Sequence, residues 1–394
     1  VNRPASDPST QATTAMAEQR PWRFDPAAPG FSDDPYRYYA ALREHDPVHW
    51  SPLGFWVVTR YADVRSIGSD LRLSNDLRRY RHYDAYVEAR GGPDNPASRH
   101  QREWLSQMDP PRHTRLRRLI GHAFAGRLQT EPRETLNTLA DRLIDEPGED
   151  EQLDLVRDVA HPFSVLTICR LLGVPDADFP LFRDWALHRA EAVRLEQTRA
   201  TVDQGNAAAS ALSEYFHRLV RYRRRHPGDD LVTMLASVAD TEGPLTEDEL
   251  VGACTLLLAA GHEAAANFIG NALFTLFCHP AALARLRADP SLLATAVEEL
   301  ARFESPLQFA TRIATHRIQL GQTTIPPGDI VMLGLGAANR DPGRFPDPER
   351  FDLDRADNQH LAFSTGIHAC LGARLARQEG PSRDLARPAA PPQR

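Results

Sequence analysis

The sequence predicts a mainly α protein with a small β portion, and three observations carry that prediction. Apolar residues recur at helical spacing through most of 109–300, interrupted by turn clusters such as PGED (147–150) and HPGDD (226–230). One apolar run passes from Thr246 to His279 without a proline. After Pro306 the pattern changes to short β-rich runs around the tight turn IPPGD (325–329).

Taken in order, residues 1–20 are polar and read as a disordered leader, neither signal peptide nor membrane anchor. PYRYYAALREHDPVHW (35–50) reads as a short helix running into a strand. Pro52 and Gly54 then turn the chain into a second strand at FWVV. Residues 74–104, rich in Arg, Tyr, Gly and Asn, read as a long loop of the kind that usually serves function. No internal repeat or linker is visible, so 21–380 reads as a single domain followed by a Pro-rich, disordered tail at 381–394.

Bulk properties exclude several classes. A net charge of −7 argues against non-specific nucleic-acid binding. The 4 cysteines lack a framework spacing, which argues against a disulfide-stapled secreted domain. The longest apolar stretch, Val251 to Gly261, is far below the ~18 residues of a membrane span. The reading is a soluble, cytoplasmic, globular protein.

The Thr246–His279 run is the most definite element. Thr246 and Glu249 form a capping box, Leu245 and Leu250 suit a hydrophobic staple, and Pro280 stops the helix. Its length of about 33 residues corresponds to roughly 50 Å, enough to cross the interior. Yet Gly261, His262 and Glu263 stand at its centre, where a buried helix favours leucine. Glycine there costs about 1 kcal/mol relative to alanine, and a buried carboxylate costs more unless paired. Both features suggest a ligand lying against the helix.

Cys169, Cys254 and Cys278 lie in apolar helix-like runs and read as buried small hydrophobes. Cys370 does not. It sits in the Gly-punctuated AFSTGIHACLG (362–372), directly before a helical run. His368 and Cys370 alone cannot close a tetrahedral zinc site, and HEAAA lacks the second histidine of a zincin. Distant histidines keep a cysteine nucleophile open, and a plain buried cysteine leaves Gly366 and Gly372 unexplained. A thiolate ligand to haem iron explains more. The unpaired N–H groups of a helix start stabilise the anion, Gly366 lets the loop bend, and Gly372 allows close approach to a flat macrocycle. Phe363 could shield the sulfur from water, and thiolate ligation favours O–O cleavage.

These residues resemble the bacterial cytochrome P450 family. FSTGIHACLG places Phe363, Gly366, Cys370 and Gly372 on that family's cysteine loop, with Ser364 where glycine is more usual. AGHEA (260–264) resembles its long oxygen-side helix, ELAR (Glu299 to Arg302) its Glu-x-x-Arg signature, and FPDPERF (345–351) supplies a third partner, Arg350. DPPRHTRLR (109–117) resembles the helix that reaches the haem propionates. The resemblance covers roughly residues 20–380.

The resemblance implies a cytochrome P450 fold, with heme b (iron protoporphyrin IX) between the long central helix and the cysteine-loop helix. Cys370 would ligate the iron. His113, Arg117, Arg312 and His368 would meet the propionates; His113 and Arg117 are i,i+4, hence on one helix face. A solvated basic face remains the plain alternative for RHTRLRR. Glu299, Arg302 and Arg350 would form a structural triad with bidentate geometry. Leu256 and Ala260 would face the distal pocket, walled also by Leu307, Gln308 and Phe309, by 74–108 and by 163–200.

Two departures stand out. The family usually carries threonine after the acid, where this chain has Ala264; Glu263 retains the acid. A substrate hydroxyl or ordered water in place of the threonine, oxidative coupling chemistry, or poor uncoupled turnover would each fit. After RLARQEG the family adds strand and turn that close the pocket, whereas here PSRDLARPAAPPQR reads as a truncated or frame-altered ending.

The implied function is a haem-thiolate monooxygenase that hydroxylates or epoxidises a medium-sized, secondary-metabolite-like substrate with O2 and two electrons. A haem-thiolate coupling enzyme or a catalytically silent haem-binding protein is the alternative. Electrons would come from a ferredoxin or flavodoxin with an NAD(P)H-dependent reductase, meeting Arg117, Arg118, Arg374 and Arg377. A monomer without nucleic-acid partner or membrane anchor is expected.

Overall fold

The structure is a computed structural model that describes residues 23–130, 133–145, 153–192 and 198–379. The expected leader (1–20) and tail (381–394) lie outside the described residues. The chain groups into two compact units.

The first unit comprises residues up to Arg81, Leu307–Phe351 and Asp357–Ala369. Helix α1 (Pro35–His45) starts where Asp34 accepts N–H bonds from Tyr36 and Arg37, with Pro35 pre-set at its first turn. Strands β1 (Val48–Ser51) and β2 (Phe55–Val58) form the hairpin expected around Pro52 and Gly54, and Gly54 takes φ +89°. Helix α2 (Tyr61–Gly68) follows, then β3 (Leu73–Ser74), and after the second unit β4 (Phe309–Ala314) and β5 (Ile330–Gly334).

The five-stranded sheet runs β1-β2-β5-β4-β3. Only the β2–β5 pair is parallel, joining Trp56–Val58 to Val331–Leu333. Val57, Val58, Val331 and Leu333 are fully buried; Val57 and Val58 are consecutive and point to opposite faces, so the sheet is covered on both sides here.

The second unit is helical and holds His82–Pro306, Asp352–Ala356 and the residues from Cys370 onward. Its main helices are α3 (Arg112–Thr130), α4 (His161–Leu172), α5 (Phe179–Glu191), α6 (Arg199–Arg225), α7 (Glu247–Cys278), α8 (Leu293–Phe303) and α9 (Ala373–Glu379). Helix α7 has the expected capping box: Thr246 accepts from Glu249 N–H, and Glu249 accepts from Thr246 N–H at 3.0 Å. Leu245 and Leu250, the proposed staple, are both buried. Helices crowd closely at glycine: a Cβ on Gly205 would lie 2.3 Å from that of Ala192.

Two sequence expectations need correction. Residues 74–104 are not a plain loop but contain helices Tyr83–Glu88 and Pro96–Gln101 and a 3₁₀ turn at Leu77–Arg79. The signal was present in Asn95-Pro96: Asn95 caps the N–H of Ser98 at 2.8 Å, and proline suits the first helical turn. Cys278 is exposed rather than buried, with Phe274 68% and Phe277 57% exposed beside it. The last turns of α7 bury Leu273 and Leu276 and turn Phe274, Phe277 and Cys278 outward, so apolar composition alone misplaced the cysteine.

Candidate functional site

The centre of α7 combines buried and uncovered faces. His262 is buried, and its Nδ1 lies 2.8 Å from the Leu258 carbonyl. Burial pushes its pKa down, only partly offset by that bond and by Glu263. Glu263 itself is exposed, as are Ala260 and Asn267, while Leu256 and Ala264 are half-buried. The sequence-based picture of a buried central carboxylate is therefore corrected: successive residues turn by about 100°, and the buried polar position is His262. Gly261 also has a packing cause, since a Cβ there would stand 3.2 Å from Ile168 of α4.

Helix α3 presents His113 and Arg117 one turn apart. His113 is 2% exposed, and burial, then Arg117, lowers its pKa. Burial also lowers the Arg117 pKa, opposed by the Cys370 side chain. The neighbouring arginines meet carboxylates, although Arg112 and Arg118 stay exposed. Arg118 pairs with Asp240 at 2.6 Å, Arg115 reaches Asp240, Glu242 and Glu249 at 3.4 Å, and Arg112 binds Glu103.

Cys370 is an exposed cysteine that leads through Leu371 and Gly372 into α9. Leu371 anchors this entry against α3, lying 3.7 Å from where a Cβ on Gly121 would be. On α9, Arg377 binds Glu298 through Nη2 at 3.0 Å; that bond, then Cys370, raises its pKa. Arg374 is exposed. The other cysteines of the interior are chemically silent thiols: burial pushes Cys169 well up and Cys254 up to about 12.

Behind α9, Arg302 makes two 2.8 Å bonds to Glu299, from Nε to Oε2 and from Nη2 to Oε1. Glu299 also accepts from Arg355 Nε at 3.1 Å and from the Asp352 N–H at 2.9 Å. Arg355 was not named by sequence reasoning, which named Arg350; the Arg350 side chain is exposed, and its backbone N–H donates to the Asp347 carbonyl. Nothing in FDLDR marks Arg355 beyond its charge.

The first unit carries the other named residues. Arg312 on β4 is 3% exposed and donates to the Thr311 carbonyl at 2.9 Å. Phe363 and His368 are half-buried. Gly366 takes φ +73°, and a Cβ there would come within 2.7 Å of the Gly68 carbonyl, so only glycine fits. Ser364 also has positive φ, +59°. Of the expected substrate wall, Leu307 is 49% exposed, but the Phe309 ring packs on Phe24 (5.2 Å) and Tyr39 (5.7 Å). Gln308 donates to the Tyr36 hydroxyl at 3.4 Å.

Comparison with known proteins decides the family. The family model "Cytochrome P450" matches residues 187–380. Vitamin D(3) 25-hydroxylase of Pseudonocardia autotrophica is 40% identical over 355 residues, 89% of this chain and 84% of that protein. The chain belongs to the cytochrome P450 family. The 6-deoxyerythronolide B hydroxylase of Saccharopolyspora erythraea is 38% identical over 89% of this chain and 87% of its own length. The crystal structure of CalO2 superimposes with a TM-score of 0.84 at 31% identity, covering 93% of this chain and 90% of that one.

This cytochrome P450 is an oxygen-incorporating oxidoreductase, and family membership implies a haem-iron cofactor. The residues of the helical unit fit such a group. Cys370 offers an accessible sulfur flanked by Arg117 and Arg377. His113 and Arg117 put a donor and a cation in a desolvated setting, which favours binding of anions. Small, uncovered Ala260 leaves room on the exposed face of α7 for a flat ring system. No helix among the described residues is long and apolar enough to cross a membrane.

Proposed function

We propose that this cytochrome P450 hydroxylates or epoxidises a medium-sized, secondary-metabolite-like organic molecule, with Cys370 as the ligand of a b-type haem. The observation that carries the reading is the exposed Cys370 side chain beside Arg117 and Arg377 at the entry to α9. Such arginines favour the thiolate over the thiol. When bound, a thiolate-held haem activates dioxygen so that one oxygen atom enters a C–H or C=C bond.

The chain's own residues have separable parts. Cys370 holds the iron, and His113 and Arg117 hold propionate groups. Leu256 and Ala260 form the part of the substrate wall contributed by α7. Glu263, exposed on the same helix, can exchange protons with water, while Ala264 offers no hydroxyl to orient them. Glu299 and Arg302 brace α8 and do no chemistry. The relatives' names, hydroxylases of vitamin D(3) and of 6-deoxyerythronolide B, support oxygen insertion into a sizeable apolar molecule. Ala264 is the observation that favours the second reading, an oxidative coupling enzyme, which places different demands on proton delivery.

Electrons are proposed to come from a ferredoxin or flavodoxin served by an NAD(P)H-dependent reductase. Exposed Arg374 is free to meet its acidic face, whereas Arg118 and Arg377 already hold Asp240 and Glu298. The protein is read as a cytoplasmic monomer. The absorption spectrum of the reduced, CO-bound protein tests the ligand, and turnover with a surrogate redox chain tests the reaction. A thiolate-type Soret band with NAD(P)H-dependent oxygenated product is expected. The band without product would leave a silent haem protein, and no band would overturn the assignment.

A further inference from the structure

Arg189 on α5 is a half-buried guanidinium with no ion pair among the described residues. Burial lowers its pKa, and only the Tyr86 hydroxyl group opposes that shift. Its setting differs from that of nearby Arg112, Arg115 and Arg221, each of which meets a carboxylate. Arg189 instead lines a small inner pocket with Trp104, Leu212, Leu258 and Ala259, and the described lining contains no acidic residue. Holding a charge against apolar walls is costly unless a counter-charge arrives.

His100 connects this pocket to a larger space. It lines both the inner pocket and an outer cavity of about 720 Å³ between Pro96–Glu103, α6 and the first turns of α7. That volume lies in the ~300–1,000 Å³ range of small-molecule sites. Burial, then the charges of Arg189, Arg99 and His217, lowers the His100 pKa to about 4. Two of these groups, Arg189 and His100, line the inner pocket, whereas Arg99 and His217 line the outer cavity together with Glu103, Glu214 and Asp248. Thr255, shared by both spaces, is already engaged: its hydroxyl donates to the Val251 carbonyl and accepts from Trp104 Nε1, each at 3.0 Å.

We propose that Arg189, with His100 beside it, is a specificity residue that anchors the oxyanion of a substrate with an apolar body and one carboxylate or phosphate group. The proposal deepens the function given above and rests on it, since the inner pocket continues to Ala259 and His262 of α7. The guanidinium gives such a group two parallel N–H donors, a geometry that a neutral alcohol cannot use.

Three probes with one hydrocarbon chain test this on the haem-loaded protein: dodecanoate, dodecyl phosphate and dodecan-1-ol, with binding read by calorimetry. At least one anion should bind about 10-fold to 100-fold more tightly than the alcohol, the range of a charge-assisted bond. The tighter of the two anions identifies the carboxylate or phosphate source. Arg189→Gln should erase the preference while changing the alcohol little, and Arg189→Lys should keep part of it. Equal affinity for alcohol and anions in the unaltered protein overturns the proposal, and so does failure of all three to bind. That comparison needs no variant, so a poorly folding Arg189→Gln protein does not protect the idea. The CO-bound spectrum of the same samples separates the two levels: an anion preference without a thiolate Soret band sinks the P450 assignment of the site, not the anchor.

Discussion

Glu299 and Arg302 face each other one helical turn apart, joined by two 2.8 Å bonds, with neither side chain reaching solvent. Removing one partner of such a pair leaves a buried charge, at a cost of about 3–5 kcal/mol. Arg302→Ala should therefore give mostly insoluble or haem-free protein. Arg302→Lys should fail nearly as badly, because an ammonium cannot reproduce the fork. Normal soluble yield and an unchanged melting temperature for Arg302→Ala would remove the bracing role.

Ser364 stands where the family more often has glycine, and its backbone shows why. Its φ of +59° is in the left-handed region, which costs a side chain roughly 1–2 kcal/mol. Its hydroxyl is buried without a hydrogen-bond partner among the described residues, a further penalty of about 1–3 kcal/mol. Against this, glycine adds roughly 0.5–1 kcal/mol of backbone entropy to be lost on folding. Ser364→Gly should stabilise the protein by about 1 kcal/mol or more, measured by urea denaturation. Ser364→Ala should recover only the hydroxyl part. A Ser364→Gly protein less stable than the parent would mean that the loop needs the serine.

Where local chemistry decides structure, the sequence was readable. The α7 boundaries follow from Thr246, Glu249 and Pro280, and the β1–β2 turn follows from Gly54, because each acts through neighbours in the chain. Gly366 was legible as a required glycine, though its reason, the Gly68 carbonyl, is distant in sequence. Gly261 was legible as an unusual residue for a buried helix, but its packing neighbour Ile168 was not, because that residue belongs to another helix. Arg355 on Glu299 and the unpaired Arg189 were invisible for the same reason: ion pairing is set by tertiary contacts, and no spacing rule announces it. Glu263 was placed inside because the helix is apolar on average, yet the average hides which face each residue takes.

Cys370→Ala should abolish the thiolate-type Soret shift of the ferrous CO complex, because Cys370 is the cysteine placed beside Arg117 and Arg377. Cys278→Ala serves as the control: it is equally an exposed thiol, on the last turn of α7, and should leave the spectrum intact. The opposite pattern would transfer the ligand role to Cys278.

Ala264 offers a sharper test of proton delivery. Threonines already in α7 turn their hydroxyls onto carbonyls four residues back: Thr255 onto Val251 at 3.0 Å and Thr275 onto Asn271 at 2.7 Å. A threonine at 264 would have the Ala260 carbonyl available in the same way, leaving an oxygen lone pair on the uncovered face beside Glu263. If the native substrate supplies the missing hydroxyl itself, good substrates carry a polar group near the oxidised carbon. Analogues without that group should still bind but divert electrons to hydrogen peroxide. Ala264→Thr should then crowd the native substrate, by about 1–3 kcal/mol as for other overpacked sites, while raising product per NAD(P)H for the analogue. Product and peroxide measured for both substrates with both proteins decide the matter. Equal coupling of substrate and analogue in the unaltered protein would exclude substrate assistance, and coupling chemistry or a relay of water alone would then account for the alanine.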